Sequence, residues 1–245
     1  MRCFIQTMAA QGSIQYRAYQ QLWVVLDYIY PPLCGGCNQP GLRWCADCDQ
    51  KTRRLKKPLC SICGKPLNVQ RLCDRCSQSK PNFRALRSWG VYDGALRKAI
   101  HRLKYRKDVA LGETLARFLI ELLDQCSWQV DMVLPVPLSV ARKASRGYNQ
   151  SALLARPISL ARRIPYRPRA LKRIRDTQSQ VDLSFDQRQI NVRDAFKGDQ
   201  DLVSGKTVLL IDDVATSGAT LDACAEAILK AGGKSVYALT LARAI

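Results

Sequence analysis

The chain has 245 residues, of which 47% are hydrophobic and 24% charged, a composition typical of a globular protein and not of a disordered or membrane protein. Lys and Arg number 39 against 20 Asp and Glu, so the net charge of +19 favours an anionic ligand or partner. Nucleic acid, anionic lipid and phosphorylated metabolites all fit this charge, and so does a basic surface that serves only solubility.

The N-terminal region contains no segment that we expect to cross or target a membrane. Its longest apolar run, residues 22–30, includes Asp27 and is much shorter than the roughly 20 residues that span a bilayer. A basic start, an apolar middle and a small-residue cleavage site do not occur in that order, which argues against a secretory signal. We therefore expect a cytoplasmic protein and assign no role to residues 1–25.

Eight of the 11 cysteines form four Cys-x-x-Cys pairs in one short segment. The pairs are Cys34 and Cys37, Cys45 and Cys48, Cys60 and Cys63, and Cys73 and Cys76. Each spacing lets two thiolates from one tight turn reach the same ion, and a redox motif would explain only one of the pairs. We predict about two structural zinc ions, since four thiolates complete the tetrahedron around each ion and leave no position for substrate.

The pairing of these cysteines stays open at this point. In a sequential arrangement the first two pairs hold one ion and the last two hold the other, whereas a cross-braced arrangement uses the same ligands in a different order. Apolar residues are sparse between the cysteines, so we expect metal binding to supply much of the folding energy of this segment.

The middle of the chain offers few functional candidates. His101, the single histidine, falls on a predicted helix among apolar residues and is a weak catalytic candidate. Pro157 falls within the helix predicted after Tyr148, and it should kink or end that helix because proline has no N–H group to donate.

Near the C-terminus, the pattern predicts a strand, a loop, a helix and a second strand. Residues 207–211 are β-branched or aliphatic, which is typical of a strand buried on both faces of a parallel sheet, and Asp212 and Asp213 follow them. Residues 214–220 are small or hydroxylic and lead into a helical pattern, and residues 236–241 again resemble a strand. The segment therefore predicts a βαβ unit.

The loop of this unit has the chemistry of a phosphate site. Backbone N–H groups at a helix N-terminus favour a phosphate, and the adjacent carboxylates suit ribose hydroxyls. The sequence lacks the Gly-x-x-x-x-Gly-Lys pattern of nucleoside triphosphate sites, so a phosphorylated ribose fits better. An ordinary helix cap is the alternative, but a cap requires one hydroxyl group and no pair of acids.

Several motifs resemble a known family. Residues 212–220, which read Asp-Asp-Val-Ala-Thr-Ser-Gly-Ala-Thr, resemble the phosphoribosyl pyrophosphate (PRPP) motif of type I phosphoribosyltransferases. Other segments narrow the resemblance to the ComF family, and the cysteine pairs look like that family's double zinc ribbon. These segments are Pro135-Val136-Pro137, Arg146-Gly147-Tyr148-Asn149-Gln150, residues 180–188, Asn191-Val192 and Phe196. The resemblance covers residues 26–245.

The resemblance implies a role for each part of the site. Asp212 and Asp213 would bind the ribose hydroxyls of PRPP, which carries Mg²⁺. The residues that would cradle the 5-phosphate are Thr216, Ser217, Gly218, Ala219 and Thr220. The turn of residues 135–146 is similar to the pyrophosphate loop, and Arg142 and Arg146 would donate to the leaving group. Surface solvation is the alternative interpretation of these two arginines.

We accordingly predict an α/β protein with a phosphoribosyltransferase-like, mostly parallel sheet and an N-terminal zinc-ribbon module with four cysteine ligands per ion. The predicted boundaries are residues 26–82 for the double zinc ribbon and residues 83–245 for the phosphoribosyltransferase-like domain. Residues 173–189 resemble the mobile hood that covers the site in such enzymes, and an ordinary solvated loop is the alternative.

The function implied by the resemblance is transfer of ribose 5-phosphate from Mg–PRPP to an acceptor with release of pyrophosphate, linked to DNA uptake or utilisation. The sequence names neither the acceptor nor its base, and it leaves the oligomeric state open. A second hypothesis is a non-enzymatic competence factor that binds nucleic acid, and a third is a PRPP-sensing regulator. The nucleic-acid hypothesis depends on basic residues around the cysteines, namely Arg53, Arg54, Lys56, Lys57, Lys65, Arg71 and Arg75.

Overall fold

A four-stranded parallel sheet forms the centre of the molecule. The computed structural model describes residues 13–29, 31–175 and 194–245. The strand order is β1 (Ala85–Val91), β6 (Ser235–Arg243), β5 (Thr207–Ala215) and β2 (Met132–Pro135), and every neighbouring pair is parallel. The interior strands β5 and β6 are almost entirely buried because helices cover both of their faces.

Nine helices and a small antiparallel pair of strands complete the described part of the chain. The strands are β3 (Leu171–Arg173) and β4 (Phe196–Gly198). The helices are α1 (Ile14–Ile29), α2 (Ala46–Lys51), α3 (Asp74–Gln78), α4 (Gly94–Tyr105), α5 (Ala110–Asp124), α6 (Val140–Arg146), α7 (Gln150–Arg162), α8 (Gln200–Val203) and α9 (Ala219–Lys230). None of the helices in these described ranges is both long and apolar enough to span a membrane.

Two hydrophobic cores lie on opposite faces of the sheet. Leu209 and Ile211 of β5 pack with buried residues of α4, α5 and α7. Val208 and Leu210 point to the other face and pack with α9 and with the last four paired cysteines. The alternation follows from the two-residue period of a strand.

The cysteine-rich segment lies along the β1 edge of the sheet. Val91 N–H donates to Arg53 C=O at 2.9 Å, and Arg54 forms an antiparallel bridge with Gly90. The edge strand is thereby covered over part of its length, which prevents pairing with another chain there.

Two elements continue past points at which the sequence indicated that they could end. Helix α7 continues through Pro157 to Arg162, because buried residues such as Leu154 and Ile158 hold its face in the core despite the missing N–H donor. Strand β5 does not end at Ile211 but extends to Ala215, since pairing with β6 continues past the two aspartates. Residues 180–188 and 191–192, and most of the predicted hood at 173–189, lie outside the described residues.

Candidate functional site

The cysteines form two separate four-thiolate sites with sequential pairing. The first zinc site consists of Cys34, Cys37, Cys45 and Cys48, and the second zinc site consists of Cys60, Cys63, Cys73 and Cys76. Within each site the sulfur atoms all lie within 4.8 Å of one another, and several pairs are 3.6 Å apart. Tetrahedral zinc with bonds of about 2.3 Å requires sulfur separations of about 3.8 Å. The ligand sets therefore fit zinc, and the cross-braced alternative is excluded.

Hydrogen bonds from backbone N–H groups stabilise the thiolate form of two of the cysteines. Cys45 N–H donates to Cys34 Sγ at 3.4 Å, and Cys73 N–H donates to Cys60 Sγ at the same distance. Burial raises the pKa of Cys34, but N–H donors from the turn outweigh burial and lower that pKa to about 6. The same balance lowers the pKa of Cys60 to about 6. Stabilised thiolates of this kind are the form that binds metal.

The two aspartates lie at the carboxyl end of β5, where β2 ends beside it. Val136 N–H, just after β2, donates to Ile211 C=O at 2.9 Å, so the ends of these two strands are adjacent. Asp213 is buried and its Oδ2 lies 2.7 Å from Lys104 Nζ on α4. Asp212 accepts a hydrogen bond from Ser151 Oγ at 2.8 Å, at the start of α7. Ligands of open α/β sheets bind at this edge.

The electrostatics of the carboxylates are strongly perturbed. Burial, followed by the neighbouring Asp213 charge, raises the pKa of Asp212 to about 7. Burial would lower the pKa of Lys104, but its ion pair with Asp213 outweighs this effect and raises the pKa above its usual value. One ammonium group thus accompanies two crowded carboxyl groups, an arrangement that a bound cation would stabilise further.

The predicted phosphate loop connects β5 to the N-terminus of α9. Gly218 has φ +81°, a left-handed conformation that favours glycine, and it caps the helix that begins at Ala219. Ser217 Oγ accepts a hydrogen bond from Ala219 N–H at 3.3 Å. The five predicted residues, Thr216 to Thr220, therefore lie together at a helix N-terminus beside the two aspartates.

The second part of the predicted pyrophosphate turn, Val140–Arg146, folds as helix α6. Ser139 caps this helix by accepting from Arg142 N–H at 3.3 Å, and the Arg142 side chain is exposed. Arg146 Nη1 donates to Gln150 Oε1 at 2.8 Å, and the guanidinium lies 4.9 Å from the Tyr105 ring. Arg146 is thereby held next to the start of α7, which also contacts Asp212. Within the described residues, Arg142 contacts Ser139 through its backbone N–H.

Three residues of the site were missed by the sequence analysis. Lys104 and Ser151 contact the two aspartates, and Arg75 donates through Nη1 to the carbonyl oxygen of Ser217. The available signal was weak: Lys104 follows a buried leucine on an amphipathic helix, and Ser151 directly follows the motif at residues 146–150. His101 is exposed and lies 4.6 Å from the Tyr105 ring, so nothing in its surroundings supports a catalytic role.

The fold and the sites define a phosphoribosyltransferase-type protein with a double zinc ribbon. Residues 25–77 match the family model of the double zinc ribbon domain, and residues 110–245 match that of the phosphoribosyl transferase domain. The DNA utilization protein YhgH of Escherichia coli K12 is 33% identical over 88% of this chain and 98% of its own. The chain belongs to the ComF family of such proteins.

Two further relatives carry competence names. Competence protein F of Haemophilus influenzae is 30% identical and covers 82% of this chain and 90% of its own length. Competence protein ComFC of Bacillus subtilis is 26% identical and covers 84% and 86%, respectively. Each of these matches thus covers more than four fifths of this chain.

Proposed function

We propose that this protein binds Mg–PRPP at the carboxyl edge of β5 and β2 and transfers ribose 5-phosphate to an acceptor, with release of pyrophosphate. The observation that carries the proposal is the continuous run of two carboxylates and a glycine-capped loop at the start of α9. This is the combination that a phosphorylated ribose requires: acceptors for hydroxyl groups beside amide donors for a phosphate.

In the proposed reaction, the bond from ribose C1 to pyrophosphate breaks and a bond from C1 to the acceptor forms. The bonding electrons leave with pyrophosphate, and the proton of the acceptor passes to the departing pyrophosphate or to water. Asp212 and Asp213 accept hydrogen bonds from the ribose hydroxyls and favour the positive charge that develops on the sugar. Ser151 and Lys104 hold these carboxylates from α7 and α4. Arg142 and Arg146 stabilise the departing pyrophosphate.

The donor set also fits magnesium. Asp212 and Asp213 provide carboxylate oxygens, the ligands that Mg²⁺ prefers in proteins, next to the proposed position of the ribose. Magnesium, when bound with the substrate, would supply positive charge beside the pyrophosphate oxygens.

Calorimetry of the zinc-loaded chain tests this proposal. Mg–PRPP should bind with a dissociation constant between about 1 μM and 1 mM, as is typical of enzyme substrates. The double variant Asp212→Asn and Asp213→Asn should not bind, whereas Asp201→Asn, an exposed aspartate on α8, should bind like the wild type. Because the pKa of Asp212 is about 7 without ligand, affinity should increase between pH 6 and pH 8 as the carboxylate form becomes dominant.

The outcomes of these measurements separate binding at the carboxylates from catalysis. Unchanged affinity in the double aspartate variant would remove these carboxylates from the site. Release of pyrophosphate in the presence of a panel of bases would establish catalysis and identify the acceptor. Binding without release under all conditions would instead favour the PRPP-sensing regulator.

A second candidate function is nucleic-acid binding, since the relatives are named for DNA utilization and for competence. The specific observation is that five of the basic residues around the zinc sites are exposed: Arg53, Lys56, Lys57, Lys65 and Arg71. Such a surface attracts a phosphate backbone through counterion release. We expect either function to operate in the cytoplasm, since zinc-bound thiolates suit a reducing compartment.

A further inference from the structure

The second zinc site contacts the predicted phosphate loop directly. Arg75 lies on α3 between the ligands Cys73 and Cys76, and its side chain is half-buried. Its Nη1 atom donates a hydrogen bond to the carbonyl oxygen of Ser217, which is 142 positions away in the sequence. A zinc-ribbon side chain is therefore part of the support of the loop between β5 and α9.

The contact controls the orientation of one peptide group. The Ser217 carbonyl and the Gly218 N–H belong to the same planar trans peptide, so they point in opposite directions. Gly218 has φ +81°, and glycine permits this peptide to rotate into other orientations at little steric cost. A guanidinium that holds the carbonyl on one side therefore keeps the N–H aimed at the opposite side.

The segment that carries Arg75 is attached to the rest of the molecule at several points. Zinc on the flanking thiolates holds the turn that carries it. Arg243 Nη1, at the end of β6, donates to Cys63 C=O at 2.6 Å in a buried contact. Asp222 on α9 accepts hydrogen bonds from Asn82 N at 2.6 Å and Asn82 Nδ2 at 3.0 Å. These contacts tie the second zinc site to β6 and the segment just after it to α9.

We propose that Arg75 is a positioning residue that links the second zinc site to the phosphate loop, by fixing the Ser217–Gly218 peptide so that the Gly218 N–H can donate to the 5-phosphate of the ligand. The inference rests on the proposed function for the identity of the ligand. The contact itself does not depend on the ligand, so the two can be tested apart.

The test combines hydrogen exchange of the unliganded, zinc-loaded chain with calorimetry, using Arg75→Ala, Arg75→Lys and the control Arg71→Ala. Arg71 is an exposed arginine of the same ribbon, 3.7 Å from Asp74. In Arg75→Ala, amides of residues 216–220 should exchange faster and affinity for ribose 5-phosphate should fall about tenfold, as expected for loss of a charged hydrogen bond. Affinity for pyrophosphate should not change, because its proposed contacts lie on α6.

The remaining variants separate positioning from general stability. Arg75→Lys keeps one donor and should restore part of the exchange protection and of the affinity, and Arg71→Ala should match the wild type in both. Elemental analysis should give the same zinc content in every variant. Unchanged loop exchange in Arg75→Ala, or equal losses for ribose 5-phosphate and pyrophosphate, would overturn the inference. A wild type that binds neither ligand would refute the proposed function, while the exchange data would still decide the role of Arg75.

Discussion

The two zinc sites are each built from two Cys-x-x-Cys pairs, yet they support different halves of the candidate site. The first zinc site packs on the helical core: Gly35 lies so close to α5 that an added Cβ would be 2.8 Å from a Leu111 methyl. Arg102 of α4 donates to Cys34 C=O at 3.0 Å. The second zinc site instead packs against β1, where a Cβ on Gly64 would be 2.6 Å from Leu86 C=O.

This difference shows how each metal can influence the ligand site. The first zinc site contacts α4, and α4 carries Lys104, which pairs with Asp213, so its influence on the carboxylates passes through a helix. The second zinc site reaches the phosphate loop through a single side chain, Arg75. We infer that each zinc ion affects the ligand site only through the elements that connect the two. These are α4 for the first zinc site and the Arg75 side chain for the second.

The largest effect should follow from removal of the second zinc ion. In the variant Cys63→Ser with Cys76→Ser, we expect one zinc ion per chain and a loss of Mg–PRPP affinity of more than about a hundredfold, because metal binding supplies the folding energy of the ribbon that holds the loop. Elemental analysis and calorimetry measure the two quantities.

The matched variant is Cys37→Ser with Cys48→Ser, which changes the equivalent ligands of the first zinc site. It should also retain one zinc ion, but it should lose only about tenfold in affinity, since the carboxylates remain held by β5 and by Ser151. Circular dichroism should show that the sheet persists in both variants. Equal losses of affinity would show that the loop has no special dependence on the second zinc site.

A smaller effect is expected from Lys104→Met. The substitution leaves the buried Asp213 without its ammonium partner 2.7 Å away, and it should lower the free energy of unfolding by about 3 kcal/mol, as is typical when one partner of a buried pair is removed. Urea unfolding of the zinc-loaded protein at pH 7.5 measures this change. Adding Asp213→Asn should recover most of the lost stability, because the unpaired charge is then removed.

Lys98→Met is the control for this prediction, since Lys98 is exposed on the same helix. It should change the unfolding free energy by no more than about 0.5 kcal/mol, the usual range for surface substitutions. If Lys104→Met is as stable as this control, the ion pair with Asp213 does not contribute to the fold.

The sequence predicted those parts of the protein that depend on local spacing. Cysteines two residues apart must share a turn, so the zinc ligands could be named, and the βαβ pattern located the loop before α9. Which two Cys-x-x-Cys pairs share an ion remained open, because this depends on how separate turns pack. Lys104, Ser151 and Arg75 were missed for the same reason: Ser151 and Asp212 are 61 positions apart, and Arg75 and Ser217 are 142 apart.

Strand β5 is longer than its aliphatic pattern predicts. The aliphatic pattern ends at Ile211, yet the strand continues to Ala215, because β6 offers pairing partners for Asp212, Val214 and Ala215. Backbone pairing with a distant strand thus overrides a local change to polar residues. The result places the carboxylates on a rigid strand rather than on a loop, which suits a binding site.

The smallest predicted effect concerns DNA and the segment between the two zinc sites. Lys56 and Lys57 are exposed there, whereas Arg54, which the sequence analysis grouped with them, lies 3.4 Å from the Trp89 ring and pairs with Asp49. If the basic ribbon binds DNA, Lys56→Ala with Lys57→Ala should lower affinity by up to about tenfold and reduce the magnitude of the salt-dependence slope by about 2. Fluorescence anisotropy with single- and double-stranded oligonucleotides over a salt series measures both.

The control removes the same charge from a part of the sheet outside the zinc ribbons. Lys206 and Lys234 are exposed and immediately precede β5 and β6, so they lie at the amino ends of the strands, away from the phosphate loop. Lys206→Ala with Lys234→Ala should leave DNA affinity and the salt slope close to those of the wild type. Equal effects of the two variants would mean that DNA responds only to total charge. In that case the segment between the zinc sites would not be a docking surface, and the zinc ribbons would act only as supports of the ligand site.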